Sequence, residues 1–176
     1  EWNASQIKSA LSIQDARGYN RFVSSQPQYS ALWRVIEAEV VPLSQKEGIG
    51  QIVWSPMAQG VLTGKYLPGK KAPAGSRATD KGSGANMIKG WMRDEVLEAV
   101  QQLKPIADQA GVSMSQLAIA WVLQNPNVSS AIMGATKPKQ VKENVKAAGV
   151  KLDAEIMKAI DVALGNLPEL DPKKNE

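Results

Sequence analysis

The clearest topological signal in the sequence is the stretch Ser129-Ser-Ala-Ile-Met-Gly-Ala-Thr-Lys-Pro-Lys-Gln-Val-Lys-Glu-Asn144. A short apolar run, Val128 to Met133, ends at Gly134, and a helix is predicted to start within three residues. A strand that turns directly into a helix leaves free backbone N–H groups facing one point. Those donors and the positive end of the helix dipole attract an anion, most often a phosphate.

The residues after Gly134 suit such an anion site. Thr136 is predicted to cap the helix, Lys137 adds a positive charge, and Pro138 fits a first turn that does not use its missing N–H. Gln140 and Asn144 are four residues apart, so they share a helix face on which their amides would contact an adenine or a ribose. The alternative is a solvated surface, because most strand–glycine–helix turns bind nothing.

Composition excludes several classes of function. The 176 residues fit one domain, with 43% hydrophobic and 22% charged residues and a net charge of +4. Lysines are scattered and aromatic residues few, so no nucleic-acid partner is expected. The chain has neither cysteine nor histidine, so no disulfide, no zinc–histidine site, no metal site and no histidine base are expected. No apolar run approaches a membrane span and no signal peptide is visible, so we expect no membrane insertion and a cytoplasmic protein.

Hydrophobic periodicity predicts helices separated by short strands. The predicted helices run over about 3–17, 31–38, 93–110, 113–123, 137–148 and 153–164, with Gly18 as a stop and Pro105 as a kink or a split. The predicted strands lie within Arg21–Ser25, which contains Phe22-Val23, over Gln51–Trp54 and over Val128–Met133. A long irregular loop is predicted over about 64–90, and the tail over about 169–176 is predicted to be frayed. This alternation is typical of parallel βαβ units in an α/β fold, with too few strands for a closed eight-strand barrel.

Several motifs occur together in a specific order. They are Ser24-Ser-Gln-Pro-Gln-Tyr29, Trp54-Ser-Pro-Met-Ala-Gln-Gly-Val-Leu-Thr-Gly-Lys-Tyr66, Ser115-Gln-Leu-Ala-Ile-Ala-Trp121, Gly134-Ala-Thr-Lys137 and Leu164-Gly-Asn-Leu-Pro168. In this order, over nearly the whole chain, they resemble the C-terminal half of the aldo-keto reductases, closest to the branch with potassium channel β subunits and bacterial relatives. The resemblance implies that residues 1–176 are a single partial domain, about half of a (β/α)8 TIM barrel.

The resemblance also implies a cofactor and a reaction. In this family NADPH lies across the carboxyl ends of the barrel strands and passes a hydride to a small carbonyl substrate, while a tyrosine supplies the proton. The implied cofactor-binding residues are Gln26, Trp54, Ser55, Pro56, Met57, Ala58, Gln59, Lys65, Arg77, Gly134, Thr136, Lys137, Gln140, Glu143 and Asn144. A helix N-terminus with Lys137 favours a 2′-phosphate, hence NADPH over NADH. For Lys65 and Arg77 the alternative is a solvated loop charge.

The catalytic residues of the family are not expected in this chain. Its Asp-Tyr-Lys-His tetrad lies in the N-terminal half, Tyr29 and Tyr66 do not match the tetrad tyrosine, and Glu1 stands where an arginine precedes the family tryptophan. We therefore expect no catalysis by this chain alone, and reductase activity in a longer parent. One alternative is a non-catalytic, NADPH-sensing regulatory module. Another is a half-barrel that forms a homo-oligomer through its open strand edges.

Overall fold

The computed structural model describes residues 1–175, which form an α/β fold. The strands are β1 (Ser24–Ser25), β2 (Gly50–Trp54) and β3 (Val128–Ile132). The helices are α1 (Ala4–Arg17), α2 (Val40–Glu47), α3 (Ser83–Ile88), α4 (Asp94–Gln109), α5 (Met114–Leu123), α6 (Pro138–Asn144) and α7 (Ala154–Leu164). Short 3₁₀ turns cover Ala58–Thr63, Arg77–Thr79, Lys89–Trp91, Val145–Ala147 and Pro172–Asn175.

The three strands form one parallel sheet in the order β1-β2-β3. Ser24 pairs with Gly50 at one side of β2, while Val53 pairs with Ala131 at the other. Parallel pairing requires helical crossovers, which α2 provides between β1 and β2 and the helices α3 to α5 between β2 and β3. All three carboxyl ends therefore meet at one edge of the sheet, which is where α/β proteins bind their ligands.

Capping residues place the helix ends where the sequence predicts them. Asn3 caps α1 in a capping box with Gln6, and Gly18 ends that helix with φ 64°. Ser113 caps α5 and Asp153 caps α7 through hydrogen bonds to backbone N–H groups. The predicted starts of these three helices are confirmed.

The core lies between the sheet and a layer formed by α4, α5 and α7. Helix α5 is buried on almost every side, and Trp121 is only 4% exposed. Its sequence is therefore apolar all round, without the polar face of an amphipathic helix. Arg34 covers this core, with its guanidinium 4.6 Å from the Trp121 ring and paired with Asp161 of α7 at 2.8 Å. None of the described helices combines the length and apolarity that crossing a membrane requires.

The helix predicted over 31–38 is wrong, because this segment is a series of turns and α2 begins only at Val40. Leu32, Val35 and Ile36 are buried, so the apolar spacing does mark core residues. The backbone instead pairs with Glu169, which accepts from Arg34 N at 2.8 Å and donates to the Leu32 carbonyl at 2.9 Å. Tertiary pairing with a distant segment overrides the local helical pattern.

Smaller departures have local reasons. The strand candidate over Arg21–Ser25 is strand only in its last two residues, Ser24–Ser25, and not at Phe22-Val23. The loop over 64–90 contains α3 and two 3₁₀ turns, and Asp80 stabilises it by accepting from Gly82 N and Gly84 N. Helix α4 runs through Pro105 without a split, since its buried face holds it against the core.

The tail also departs from the frayed segment that the sequence predicts. Pro172–Asn175 forms a 3₁₀ turn, and Asn175 is buried. Its side-chain amide donates to the Trp2 carbonyl at 2.9 Å. The segment is therefore held at both ends, by the Glu169 backbone and the Asn175 side chain, while Leu170, Asp171, Lys173 and Lys174 are exposed. Glu176 lies outside the described residues.

Replacing Tyr29 by phenylalanine is expected to cost about 1–2 kcal/mol of unfolding free energy at neutral pH, because the buried hydroxyl donates to Glu37 at 2.6 Å. Burial, the Glu37 charge and this bond raise the pKa of Tyr29 above its ordinary range. Above about pH 10 the unfolded chain releases this proton and the folded one keeps it, so stability falls as pH rises. Urea unfolding should show a smaller alkaline loss in Tyr29→Phe than in wild type, and exposed Tyr19→Phe serves as the control.

Candidate functional site

A cleft of about 750 Å³ opens at the carboxyl ends of β2 and β3. Its walls are the turn after β2, the segment leading into the 3₁₀ turn at Arg77, and the start of α6. This volume lies within the range of small-molecule and cofactor sites. The lining residues are Trp54, Ser55, Pro56, Met57, Gln59, Gly60, Thr63, Lys65, Pro73, Ala74, Gly75, Ser76, Arg77, Ser115, Ile132, Gly134, Ala135, Thr136, Lys137, Gln140 and Asn144.

The turn after β2 has an unusual backbone. Ser55, Ala58 and Gln59 have φ values of 57°, 46° and 59°, although none of them is glycine. Gly60 follows with φ 96°. Such conformations cost about 1–3 kcal/mol each and persist where the surrounding structure enforces them, often at binding sites. Here Ala58 is fully buried in the hydrophobic core, which holds the backbone of the turn in place beside the cleft.

Gln59 connects this turn to the opposite wall of the cleft. Its side-chain amide nitrogen donates to the Ser55 hydroxyl, and its carbonyl oxygen accepts from Arg77 Nη1. Residues 64–90 are thereby tied to the end of β2. The Ser76 hydroxyl, in the same wall, is buried without a hydrogen-bond partner among the described residues.

The start of α6 differs from the prediction in one respect. Thr136 does not cap the helix, because Lys137 occupies the N-cap position and Pro138 the first helical position. The Gln140 side-chain oxygen turns back and accepts from Thr136 N at 2.7 Å and from Lys137 N at 3.1 Å. The sequence predicts these backbone N–H groups to be free. In the structure they donate to the Gln140 carboxamide oxygen, which takes the position that an oxygen of a bound anion would take.

The charge of the cleft has a single sign. Its charged lining residues are Lys65, Arg77 and Lys137, and the described lining includes no carboxylate. None of these three cations forms an ion pair within residues 1–175. The Lys65 ammonium instead lies 5.1 Å from the centre of the Tyr66 ring. Like charges that converge on one concave surface attract an anion with more than one charge.

Most of the sequence-predicted site residues meet in this cleft. Those that line it are Trp54, Ser55, Pro56, Met57, Gln59, Lys65, Arg77, Gly134, Thr136, Lys137, Gln140 and Asn144. Lys65 and Arg77 both line the cleft and are exposed, so their position is compatible with phosphate binding and with the alternative of solvated loop charges.

Three predicted residues lie outside the cleft lining. Gln26 is exposed beyond the carboxyl end of β1, and Ala58 is buried beneath the turn. Glu143 pairs with Lys146 at 3.0 Å, and its backbone carbonyl accepts from Gln116. Glu143 directly precedes Asn144, so its side chain points about 100° around the helix from the Asn144 side chain and contacts Lys146.

Other lining residues were not predicted from the sequence. They are Gly60, Thr63, Pro73, Ala74, Gly75, Ser76, Ser115, Ile132 and Ala135. A sequence signal for part of this set exists, because Pro73 to Ser76 lie in a long loop immediately before Arg77, and long loops in compact domains are often functional.

The tyrosines of this chain are not placed to act in the cleft. Tyr29 is buried against Trp121, with ring centres 5.2 Å apart, and Tyr66 is 1% exposed. Neither they nor Tyr19 belong to the described cleft lining. The indole N–H of Trp54 donates to the Glu1 carboxylate at 2.7 Å, which orients one wall of the cleft. The described cleft lining therefore contains no tyrosine hydroxyl.

These features define an α/β protein with a cationic binding cleft at the carboxyl ends of its parallel strands. A model of the Aldo/keto reductase family matches residues 1–164. The chain belongs to this family, whose fold is a TIM barrel, and the three-stranded parallel sheet is consistent with part of such a barrel.

Two plant proteins are similar to this chain along most of its length. A relative from Oryza sativa subsp. japonica is 42% identical over 172 residues, which are 96% of this chain and 52% of the relative. One from Arabidopsis thaliana is 45% identical over 151 residues, or 85% of this chain and 45% of the relative. Both are described as "Probable voltage-gated potassium channel subunit beta". The chain thus spans about half the length of these curated relatives.

Proposed function

We propose that this chain is the NADPH-binding half of an aldo-keto reductase barrel, and that the full-length protein reduces an aldehyde or a ketone. The observation that carries the proposal is the cleft at the carboxyl ends of the strands, whose lining within residues 1–175 holds three cations and no carboxylate. NADPH has a pyrophosphate and a 2′-phosphate, and a phosphomonoester carries about −1.5 to −2 charges at neutral pH. The family supports the same cofactor, since its members use nicotinamide cofactors.

In this proposal the start of α6 holds the adenosine 2′-phosphate. The helix N-terminus and the Lys137 ammonium favour an anion, and the 2′-phosphate replaces the Gln140 oxygen at Thr136 N and Lys137 N. Gln140 and Asn144, one turn apart on the cleft side, then face the adenosine. NADH lacks this phosphate and would leave Lys137 without its anion.

The rest of the cleft holds the pyrophosphate and the apolar parts of the cofactor. Arg77 offers several planar donors and Lys65 a single ammonium, so both suit phosphate oxygens. The unpaired Ser76 hydroxyl supplies one more donor in the same wall. Trp54 and Met57 form an apolar wall at the end of β2, against which a flat ring packs.

The bound cofactor would supply the hydride, and the proton donor would come from outside residues 1–176. Tyr29 and Tyr66 are buried away from the cleft, and the sequence contains no histidine. The contribution of this chain is therefore to bind, orient and retain NADPH. We propose that residues 1–176 form a single partial domain, about half of the barrel. We also propose that the full-length protein is cytoplasmic.

The full-length protein is expected to oxidise NADPH when an aromatic aldehyde is added, whereas residues 1–176 alone are not. Loss of the NADPH absorbance, with the alcohol product identified by mass spectrometry, measures this reaction. A heat-treated sample and a reaction without aldehyde are the controls. Reduction by residues 1–176 alone would contradict the proposal that this chain binds the cofactor while the proton donor lies outside it.

A second candidate function is a non-catalytic, NADPH-sensing regulatory module. The description of the plant relatives as channel β subunits favours it. Both candidates need the same cleft, so cofactor binding does not separate them. A full-length protein that binds NADPH tightly but reduces no aldehyde or ketone would support the regulatory role.

A further inference from the structure

Met87 differs from the other methionines of this chain in its exposure. The sequence has six methionines, and Met87 of α3 is 47% exposed. The other five are buried or half-buried. Methionine oxidation depends strongly on access of the oxidant to the sulfur atom. Met87 is therefore the methionine that a dissolved peroxide reaches first.

The Met87 sulfur contacts a charged residue of the cleft. Arg77 Nη1 lies 3.8 Å from Met87 Sδ, and the same nitrogen donates to Gln59. Met87 itself is not part of the cleft lining. Helix α3 holds this contact in place, because its Ile88 is buried in the core and its Gly84 backbone packs beside the Arg77 side chain. A chemical change at Met87 thus reaches the cleft through Arg77.

We propose that Met87 is a methionine-oxidation site that lowers the affinity of the cleft for NADPH through Arg77. The sulfur attacks one oxygen of hydrogen peroxide, the O–O bond breaks, and methionine sulfoxide and water form. Sulfur is oxidised by two electrons and the peroxide is reduced. The thioether is a weak hydrogen-bond acceptor, whereas the sulfoxide oxygen is a strong one.

The sulfoxide oxygen competes with the cofactor for the guanidinium. A charge-assisted hydrogen bond to Arg77 holds its donors at α3, so moving them towards a cofactor phosphate becomes more costly. We expect NADPH affinity to fall by about fivefold, which is the size of one modest hydrogen bond. Methionine sulfoxide reductases reverse this modification, so the change in affinity is reversible. The inference rests on the proposed function of the cleft.

The test compares full-length wild type with Met87→Leu before and after limited treatment with hydrogen peroxide. NADPH affinity is measured by fluorescence titration, and peptide mapping by mass spectrometry identifies each oxidised methionine. We expect Met87 to be oxidised before the other five, with about fivefold weaker binding in wild type and no change in Met87→Leu. Treatment with a methionine sulfoxide reductase should restore the wild-type affinity.

Two results would overturn the inference. One is oxidation of another methionine before Met87. The other is an equal change in affinity, or none, in peroxide-treated wild type and Met87→Leu. If the untreated protein fails to bind NADPH, the proposed function fails, and the effect inferred for Met87 on cofactor affinity fails with it. An NADPH affinity that stays unchanged after full oxidation of Met87, in a protein that binds NADPH before treatment, overturns the Met87 inference alone.

Discussion

Replacing Lys137 by glutamate in the full-length protein is expected to weaken NADPH binding about 100-fold and NADH binding less than about fivefold. The Lys137 ammonium lines the cleft and forms no ion pair within residues 1–175. Its loss removes a charge-assisted contact with the 2′-phosphate, and the new carboxylate repels that phosphate. Together these effects are worth about 2.7 kcal/mol, which corresponds to 100-fold in affinity.

Lys137→Glu is expected to change cofactor affinity without changing the stability of the fold. Lys137 is exposed, and a carboxylate at the N-terminus of a helix interacts favourably with the helix dipole. The unfolding free energy is therefore expected to stay within about 0.5 kcal/mol of wild type. Calorimetric titration with NADPH and with NADH measures the two affinities.

Lys142→Glu is the matched control for Lys137→Glu. It makes the same charge change on α6, and Lys142 is exposed but does not line the cleft. Both cofactors should bind Lys142→Glu within about threefold of wild type, because exposed charges at longer range are screened by salt. Equal weakening of NADPH and NADH by Lys137→Glu would show that Lys137 acts as a general surface charge.

Replacing Asn127 by alanine is expected to lower the unfolding free energy by about 2–4 kcal/mol. Asn127 is 8% exposed, its amide donates to the Ile49 carbonyl at 2.8 Å, and its side-chain oxygen accepts from the buried Gln51 amide at 3.0 Å. Alanine removes both bonds and leaves two buried polar groups unpaired, each at a cost of about 1–3 kcal/mol. These bonds join the start of β2 to the turn before β3, so the sheet that positions the cleft depends on them.

Asn86→Ala provides the comparison for Asn127→Ala in urea unfolding. Asn86 is exposed on α3, so its replacement should change stability by less than about 0.5 kcal/mol. A loss below about 1 kcal/mol in Asn127→Ala would mean that water satisfies the groups that alanine leaves unpaired. The Asn127 side chain would then not stabilise the sheet in the way proposed.

The parts of the fold with local signals were predictable from the sequence. Gln51–Trp54 and the run before Gly134 are short apolar segments bounded by turn residues, and both are strands in the sheet. Ser113 and Asp153 have the side chains that cap helices, and they cap α5 and α7. In the same way, the cleft residues that follow β2 and β3 were predictable, because the carboxyl ends of parallel strands meet at one edge.

The parts that depend on distant contacts were not predictable. The segment over 31–38 has helical spacing, but its backbone pairs with Glu169, which is more than 130 residues away in sequence. The tail is ordered for a similar reason, since Asn175 bonds to Trp2. Gln140 is a similar case within the site. Its spacing predicts that it lies near the turn, but not that its side-chain oxygen accepts a hydrogen bond from Thr136 N.

The most direct test of the central claim is calorimetric titration of the full-length protein with NADPH and NADH under identical salt and pH. We propose that the cleft at the ends of β2 and β3 binds the cofactor through its 2′-phosphate, with Lys137 and the start of α6 as the binding groups. We expect NADPH to bind at least about tenfold more tightly than NADH, and Lys137→Glu to abolish this difference. Equal affinities for the two cofactors in wild type, or a preference that survives Lys137→Glu, would contradict it.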